Sequence, residues 1–295
     1  MRVAVLGCGY VGLELARQLV DRGHEVVGVR RSPAGLDRVR DAGADPVRAD
    51  VTDADALAAV PDVDAVVFAA SSGGRDADAA REVYVEGLRT SIDHFCGREE
   101  PPDRTVYTSS TGVYGDHDGD WVDEGTPLQP TTEKTEVLAE AERTAIERPS
   151  GDCEGTVARF AGLYGPDRYR LERYVEGPVT EGYLNMVHRD DAAGAVRYLL
   201  AGDRARGEVV NVVDDEPVSK WAFADWLAEQ CGRDPPPKRT VDERLAEDDL
   251  STAAERRLRT AKRVDNGKLR GLGYEFAYPT YREGYRAAIE ATRGE

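Results

Sequence analysis

The first thirty residues constrain the fold most. An apolar run at 3–6 breaks into Gly7-Cys8-Gly9-Tyr10-Val11-Gly12, and a helical spacing of Leu13, Ala16, Leu19 and Val20 runs on to Gly23. A second apolar run, 26–29, closes the unit. The order is strand, glycine turn, helix, strand. In such a turn Gly7 makes the tight bend, Gly9 lets the backbone approach a pyrophosphate, and Gly12 lets the helix pack close on the strand. The anion rests on amides of the helix N-terminus, beside Tyr10 and Val11, where the backbone dipoles favour negative charge. The unit therefore predicts a dinucleotide site.

The alternation continues. Apolar runs at 46–49, 65–70, 105–108, 156–160 and 209–213 are separated by helical stretches at 34–41, 53–60, 76–96, 132–147 and 186–200. Near-continuous apolar strands between helices predict a parallel sheet covered on both faces, an α/β fold of the doubly wound Rossmann type. Ligands of such sheets bind at the carboxyl ends of the strands. Past Gly165 the pattern loosens. The expected organisation is a dinucleotide-binding core over 1–165, rejoined by 186–215, with a small C-terminal substrate lobe from 166–185 and 216–295. Pro235-Pro236-Pro237 and the charged run 242–259 read as linker and exposed helix rather than as a binding site.

A net charge of −17 argues against a nucleic-acid or anionic-membrane surface. No apolar run is long enough to cross a bilayer, and the start lacks the pattern of a signal peptide. The four cysteines show no CxxC or metal spacing, which fits free thiols in a reducing, cytoplasmic setting and no metal site. Lysine occurs only at 134, 220, 238, 262 and 268, so arginine carries almost all the positive charge. Two explanations stand: a surface adapted to high salt, where screening removes self-repulsion, or an ordinary acidic protein from a GC-rich genome.

Further motifs follow in order: Ala49-Asp50-Val51, Ala69-Ala70-Ser71, Tyr107 through Gly115, Arg159-Phe160-Ala161-Gly162-Leu163-Tyr164-Gly165-Pro166, and Val187-His188-Arg189-Asp190-Asp191. With the glycine turn, this series resembles the extended and atypical short-chain dehydrogenases/reductases, and within them the NAD(P)-dependent epimerase/dehydratase group that handles nucleotide sugars. The match spans nearly the whole chain. The resemblance implies that Asp50 and Val51 flank the adenine. Ala69, Ala70 and Ser71 would line the ribose and phosphate path, and Phe160, Ala161 and Gly162 would lie near the nicotinamide. It also implies a small-molecule substrate; such enzymes often pair through the helices at 76–96 and 132–147, so monomer and homodimer both stay open.

Cofactor choice follows from the end of the second strand. An NAD site usually carries Asp or Glu there, accepting from the ribose 2′-hydroxyl. This chain has Arg30-Arg31-Ser32. A guanidinium cannot accept from a hydroxyl but suits a 2′-phosphate, so NADP is expected over NAD. The competing reading has both arginines pointing into solvent.

The catalytic pattern departs from the resemblance. Those enzymes combine a Ser or Thr with a Tyr and a Lys four residues later, the Lys lowering the tyrosine pKa. Ser110 stands in the serine place, but the helix after Pro130 puts Thr132 in the Tyr place and Glu136 in the Lys place. No YxxxK pair exists there. Lys134, half a turn away, is expected to face solvent. Tyr84 occupies a position where relatives carry an active-site Asn, and is either a substitute proton donor or a core aromatic. Tyr114 and Tyr164 are either pocket lining or loop packing, and His188 with Asp190 and Asp191 suits a structural return to the core. The expected function is an NADP-linked oxidoreductase or epimerase in which Ser110 polarises the substrate oxygen and Tyr84, or a water chain, gives the proton. The alternative is an NADP(H)-binding sensor or scaffold without turnover.

Overall fold

Seven parallel strands form the central sheet of the computed structural model, which describes residues 1–73, 76–202, 204–247 and 250–293. They are β1 (Arg2–Leu6), β2 (Glu25–Arg30), β3 (Asp45–Arg48), β4 (Ala65–Phe68), β5 (Arg104–Ser110), β6 (Glu154–Phe160) and β7 (Val209–Val212). Their spatial order is 3-2-1-4-5-6-7. The chain winds outward in both directions from β1, which pairs with β2 on one side and β4 on the other. This is the Rossmann-type doubly wound α/β fold, with its switch point at the carboxyl ends of β1 and β4.

Among the described residues, the helices of nine or more residues are α1 (Tyr10–Val20), α2 (Pro33–Asp41), α3 (the consecutive segments Ala77–Arg81, Glu82–Gly87 and Leu88–Cys96), α4 (Glu133–Glu147), α5 (Arg189–Leu200), α6 (Lys220–Gln230) and α7 (Tyr281–Arg293). Successive residues of β1 face opposite layers, as a strand requires. Val3 and Val5 pack with Leu15 and Leu19 of α1 and Val196 and Leu199 of α5, while Ala4 and Leu6 pack with Val85 and Phe95 of α3 and Ala141 of α4. Burial on both faces explains why these strands read as unbroken apolar runs. A third cluster gathers around Phe223 of α6 and Tyr281 and Tyr285 of α7.

Several local readings change. The stretch expected as helix at 53–60 is helical only over Ala54–Leu57. The turn expected before α5 contains a short strand, Met186–His188, parallel to Gly162–Tyr164; three residues are too few for periodicity to show. Val264, Leu269, Tyr274 and Phe276 bury their side chains in the same apolar cluster as β1 and α1. The four-thiol expectation is corrected. Cys96, at the end of α3, is bonded to Cys153, just before β6, with Cα atoms 6.0 Å apart, so only Cys8 and Cys231 are free. Two cysteines 57 residues apart carry no spacing signature, and only the packing of α3 against the sheet brings them together. Among the described residues no helix is long and apolar enough to cross a membrane, and no cluster of potential metal ligands forms.

A buried polar network ties β6 and β7 to α4. Arg159 of β6 grips Glu142 of α4 at 2.6 Å and donates to the Tyr114 hydroxyl at 2.8 Å, which donates to Asn211 of β7 at 2.9 Å. Tyr114 is fully buried. Of its two sequence readings, packing is the one realised.

Candidate functional site

The glycine turn is built as its sequence requires. Gly7 has φ +92°, a left-handed conformation that side chains disfavour. A Cβ on Gly12 would stand 2.7 Å from the Gly7 carbonyl oxygen and 3.3 Å from Val5 Cγ1, so α1 and β1 touch through this glycine. A Cβ on Gly9 would meet only the Arg30 guanidinium, at 3.6 Å, and the Gly7 carbonyl oxygen, at 3.9 Å. No side chain caps α1 and no acid stands in its first turn. The cradle thus fits an anionic phosphate on the α1 amides.

Two cavities open at the carboxyl ends of the strands and share Ala70 and Ser71. The smaller, about 230 Å³, is lined by Gly7, Arg30, Arg31, Ser32, Asp50 and Val51. The larger, about 610 Å³, is lined by Gly9, Tyr10, Val11, Gly12, Ala69, Tyr84, Ser110, Phe160, Ala161 and Gly162. Every residue expected to touch the cofactor therefore borders one of two joined cavities.

At the small end Arg30 is half-buried, and Arg31 is held by Asp50 at 3.2 Å. Burial opposes ionisation of Asp50, but hydrogen bonds from Thr52 and Arg31 outweigh it and hold the carboxyl below its ordinary range. Ser32 caps α2, accepting from Gly35 N at 3.2 Å. Of the two arginines, neither simply points away: both line the cavity wall.

At the large end Ser110 Oγ accepts from Gly112 N at 3.1 Å, which leaves its O–H to donate into the cavity. Tyr84 lies on the π-type middle segment of α3, its Oη 3.4 Å from Ser71 Oγ. Thr132 is not in α4 but caps it, exchanging hydrogen bonds with Thr135 of 3.2 and 3.0 Å. Glu136 is exposed. The places of the usual Tyr and Lys are therefore a helix cap and a surface acid. The expectation for Lys134 is corrected: it is half-buried and lines the large cavity, its Nζ 5.7 Å from the centre of the Tyr84 ring.

Sequence reasoning also missed Arg168, whose guanidinium lies 4.0 Å above the Tyr10 ring on the cavity wall. A third cavity, about 450 Å³, shares Tyr174 with the large one and is lined by Arg173, Lys220, Arg239, Arg244 and Arg257. The charged run read as linker and exposed helix thus supplies Arg244 and Arg257 to a cavity. Five cations drawn from separate segments leave no local signal. His188 is buried, caps α5 by accepting from Asp190 N at 3.2 Å, and packs on Tyr278. Burial pushes it down to about 4, so it is neutral near pH 7 and serves structure.

Comparison with known proteins agrees with this geometry. A family model described as NAD(P)H-binding matches residues 7–203. Protein YeeZ of Escherichia coli K12 is 30% identical over 286 residues, covering 94% of this chain and 96% of that one. A structure from Methylobacillus flagellatus, provisionally described as an NAD-dependent epimerase/dehydratase, is 30% identical with a TM-score of 0.76 over 100% of this chain and 99% of that one. A human epimerase family protein solved with NADPH shares the fold at 21% identity, with a TM-score of 0.78 over 98% and 99% of the two chains.

Proposed function

Because the chain belongs to the NAD(P)H-binding family, we propose that it is an NADP-dependent oxidoreductase or epimerase acting on a nucleotide sugar or similar polyol. The observation that carries this is the single large cavity in which the glycine turn and the stretch from Phe160 to Gly162 face Ser110 and Tyr84. When bound, the nicotinamide cofactor supplies or accepts the hydride. Ser110 donates a hydrogen bond to the substrate oxygen, and Tyr84 Oη, held beside Ser71, moves the proton. Arg30 and Arg31 border the small cavity where a 2′-phosphate would lie, which supports NADP over NAD.

The cationic third cavity supports an anionic substrate. In a chain of net charge −17, Arg173, Lys220 and Arg257 gather beside one space adjoining the large cavity. Burial and then the neighbouring Arg173 lower the pKa of Lys220, while Glu181 raises it. A diphosphate would bring further negative charge to these cations.

Titration with NADPH and NADH in molar KCl, followed by a nucleotide-sugar turnover screen, tests the reading. Tighter binding of NADH removes the argument from Arg30 and Arg31. NADPH binding without turnover favours the sensor or scaffold alternative, whose support is the occupation of the usual Tyr place by the capping Thr132.

A further inference from the structure

Tyr84 and Lys134 stand fifty residues apart, on helices that no motif relates, yet the fold puts both on the wall of the large cavity. Tyr84 belongs to the π-type segment Glu82–Gly87, an irregularity that recurs at functional sites. Lys134 belongs to the first turn of α4, which also carries Glu133 and Glu136. A helix start favours acids, and a cation there opposes the backbone dipole. There the Lys134 ammonium lies 5.7 Å from the centre of the Tyr84 ring.

Tyr84 is buried in the apolar cluster of α3 and α4, and among the described residues the polar groups around it are few. Lys134 faces it from α4 and the buried Tyr107 from β5, while Ser71 and Ser72 bring neutral hydroxyls from the loop after β4. The acid one and a half turns along α4, Glu140, is engaged with Arg81 at 2.8 Å.

We propose that Lys134 is the positioning residue of Tyr84, its ammonium stabilising the phenolate left when Tyr84 Oη gives its proton to the substrate oxygen. Two helices would then share what related enzymes place four residues apart on one. The inference rests on the function proposed above. As a substrate carbonyl is reduced, the hydride electron pair comes from the reduced nicotinamide cofactor and the carbonyl π pair moves to oxygen. That oxygen bonds the proton as the Tyr84 O–H bond breaks. The phenolate stays beside Lys134 until a solvent proton replaces the one lost. Burial alone would raise the phenol, yet the hydrogen bonds of Ser71 and Ser72 and the charge of Lys134 bring it below its ordinary value.

The test begins with the free protein. Ultraviolet titration of tyrosinate, wild type minus Tyr84→Phe, isolates Tyr84 from the other tyrosines. Lys134→Met is expected to move that transition up by about one pH unit, a tenfold loss of acidity, and Lys134→Arg to leave it near the wild-type position. Lys134→Gln repeats the measurement should the Met variant fold poorly. In turnover, Lys134→Met lowers kcat without changing KM for NADPH, and Lys134→Arg recovers part of it. A Tyr84 transition at the wild-type pH in both Lys134→Met and Lys134→Gln overturns the proposal. If that happens while Tyr84→Phe still abolishes turnover, the proposed function stands without Lys134. If the transition moves but no substrate turns over, the Tyr84–Lys134 couple stands and the proposed function falls.

Discussion

The two ends of the joined cavities are built from different material. The end proposed for phosphate and adenine is backbone: Gly7, Gly9, Gly12 and the α1 amides, completed within one βαβ unit by Arg30, Arg31 and Ser32. The end proposed for catalysis is side chain: Ser110 from the tip of β5, Tyr84 from the middle of α3, Lys134 from the start of α4. A backbone cradle needs glycines at fixed spacing and shows in the sequence. A side-chain constellation needs only a common point in space.

The largest effect expected sits at the catalytic end. Tyr84→Phe should lower kcat by about 10²- to 10⁴-fold, the usual worth of a positioned proton donor, with NADPH affinity unchanged in a fluorescence titration. A matching loss of affinity would erase the distinction between the ends. Next comes the scaffold beneath. Arg159→Met leaves Glu142 buried without its partner and Tyr114 without a donor. About 3–5 kcal/mol of stability should go, read by denaturant unfolding. Replacing Arg159 and Glu142 together by apolar residues should recover most of that, because the uncompensated charge is the cost.

How far the sequence reaches follows the same division. The doubly wound sheet was legible because β1, β4 and β6 are buried on both faces and announce themselves as apolar runs. The residues expected to touch the cofactor were legible because each sits in a short motif at or just past the end of a strand. Lys134 was not, since the ring it lies beside, Tyr84, is fifty positions away on another helix. The Cys96–Cys153 bond and the cationic cavity were not, since each joins residues separated by tens of positions.

His188, outside both cavities, ties stability to pH. It caps α5 and is pushed down to about 4 by burial, against about 6.5 when unfolded. Between those values the unfolded chain binds more protons, so stability is lost as pH falls through the window, by roughly 3 kcal/mol in all at about 1.4 per unit. Asp191 and Asp214, both raised chiefly by burial, work in the opposite sense. The readout is therefore the difference between wild type and His188→Asn, whose stability should be flatter from pH 6.5 to 4. Parallel profiles would mean that His188 titrates freely in the fold.

The smallest effect sharpens the comparison most. Arg31 is two-thirds exposed and already paired with Asp50, so solvent screening discounts its grip on a 2′-phosphate. Arg30, half-buried over the glycine turn, is the stronger of the two. Arg30→Ala with Arg31→Ala should weaken NADPH about tenfold, some 1.4 kcal/mol, and leave NADH unchanged. A loss equal for both cofactors would mean that the arginines serve the pyrophosphate or the turn itself, and the backbone end would then depend on side chains as the catalytic end does. A loss confined to NADPH separates the two contributions: the glycines and amides bind whichever dinucleotide arrives, and two side chains at the far end of the same unit choose between them.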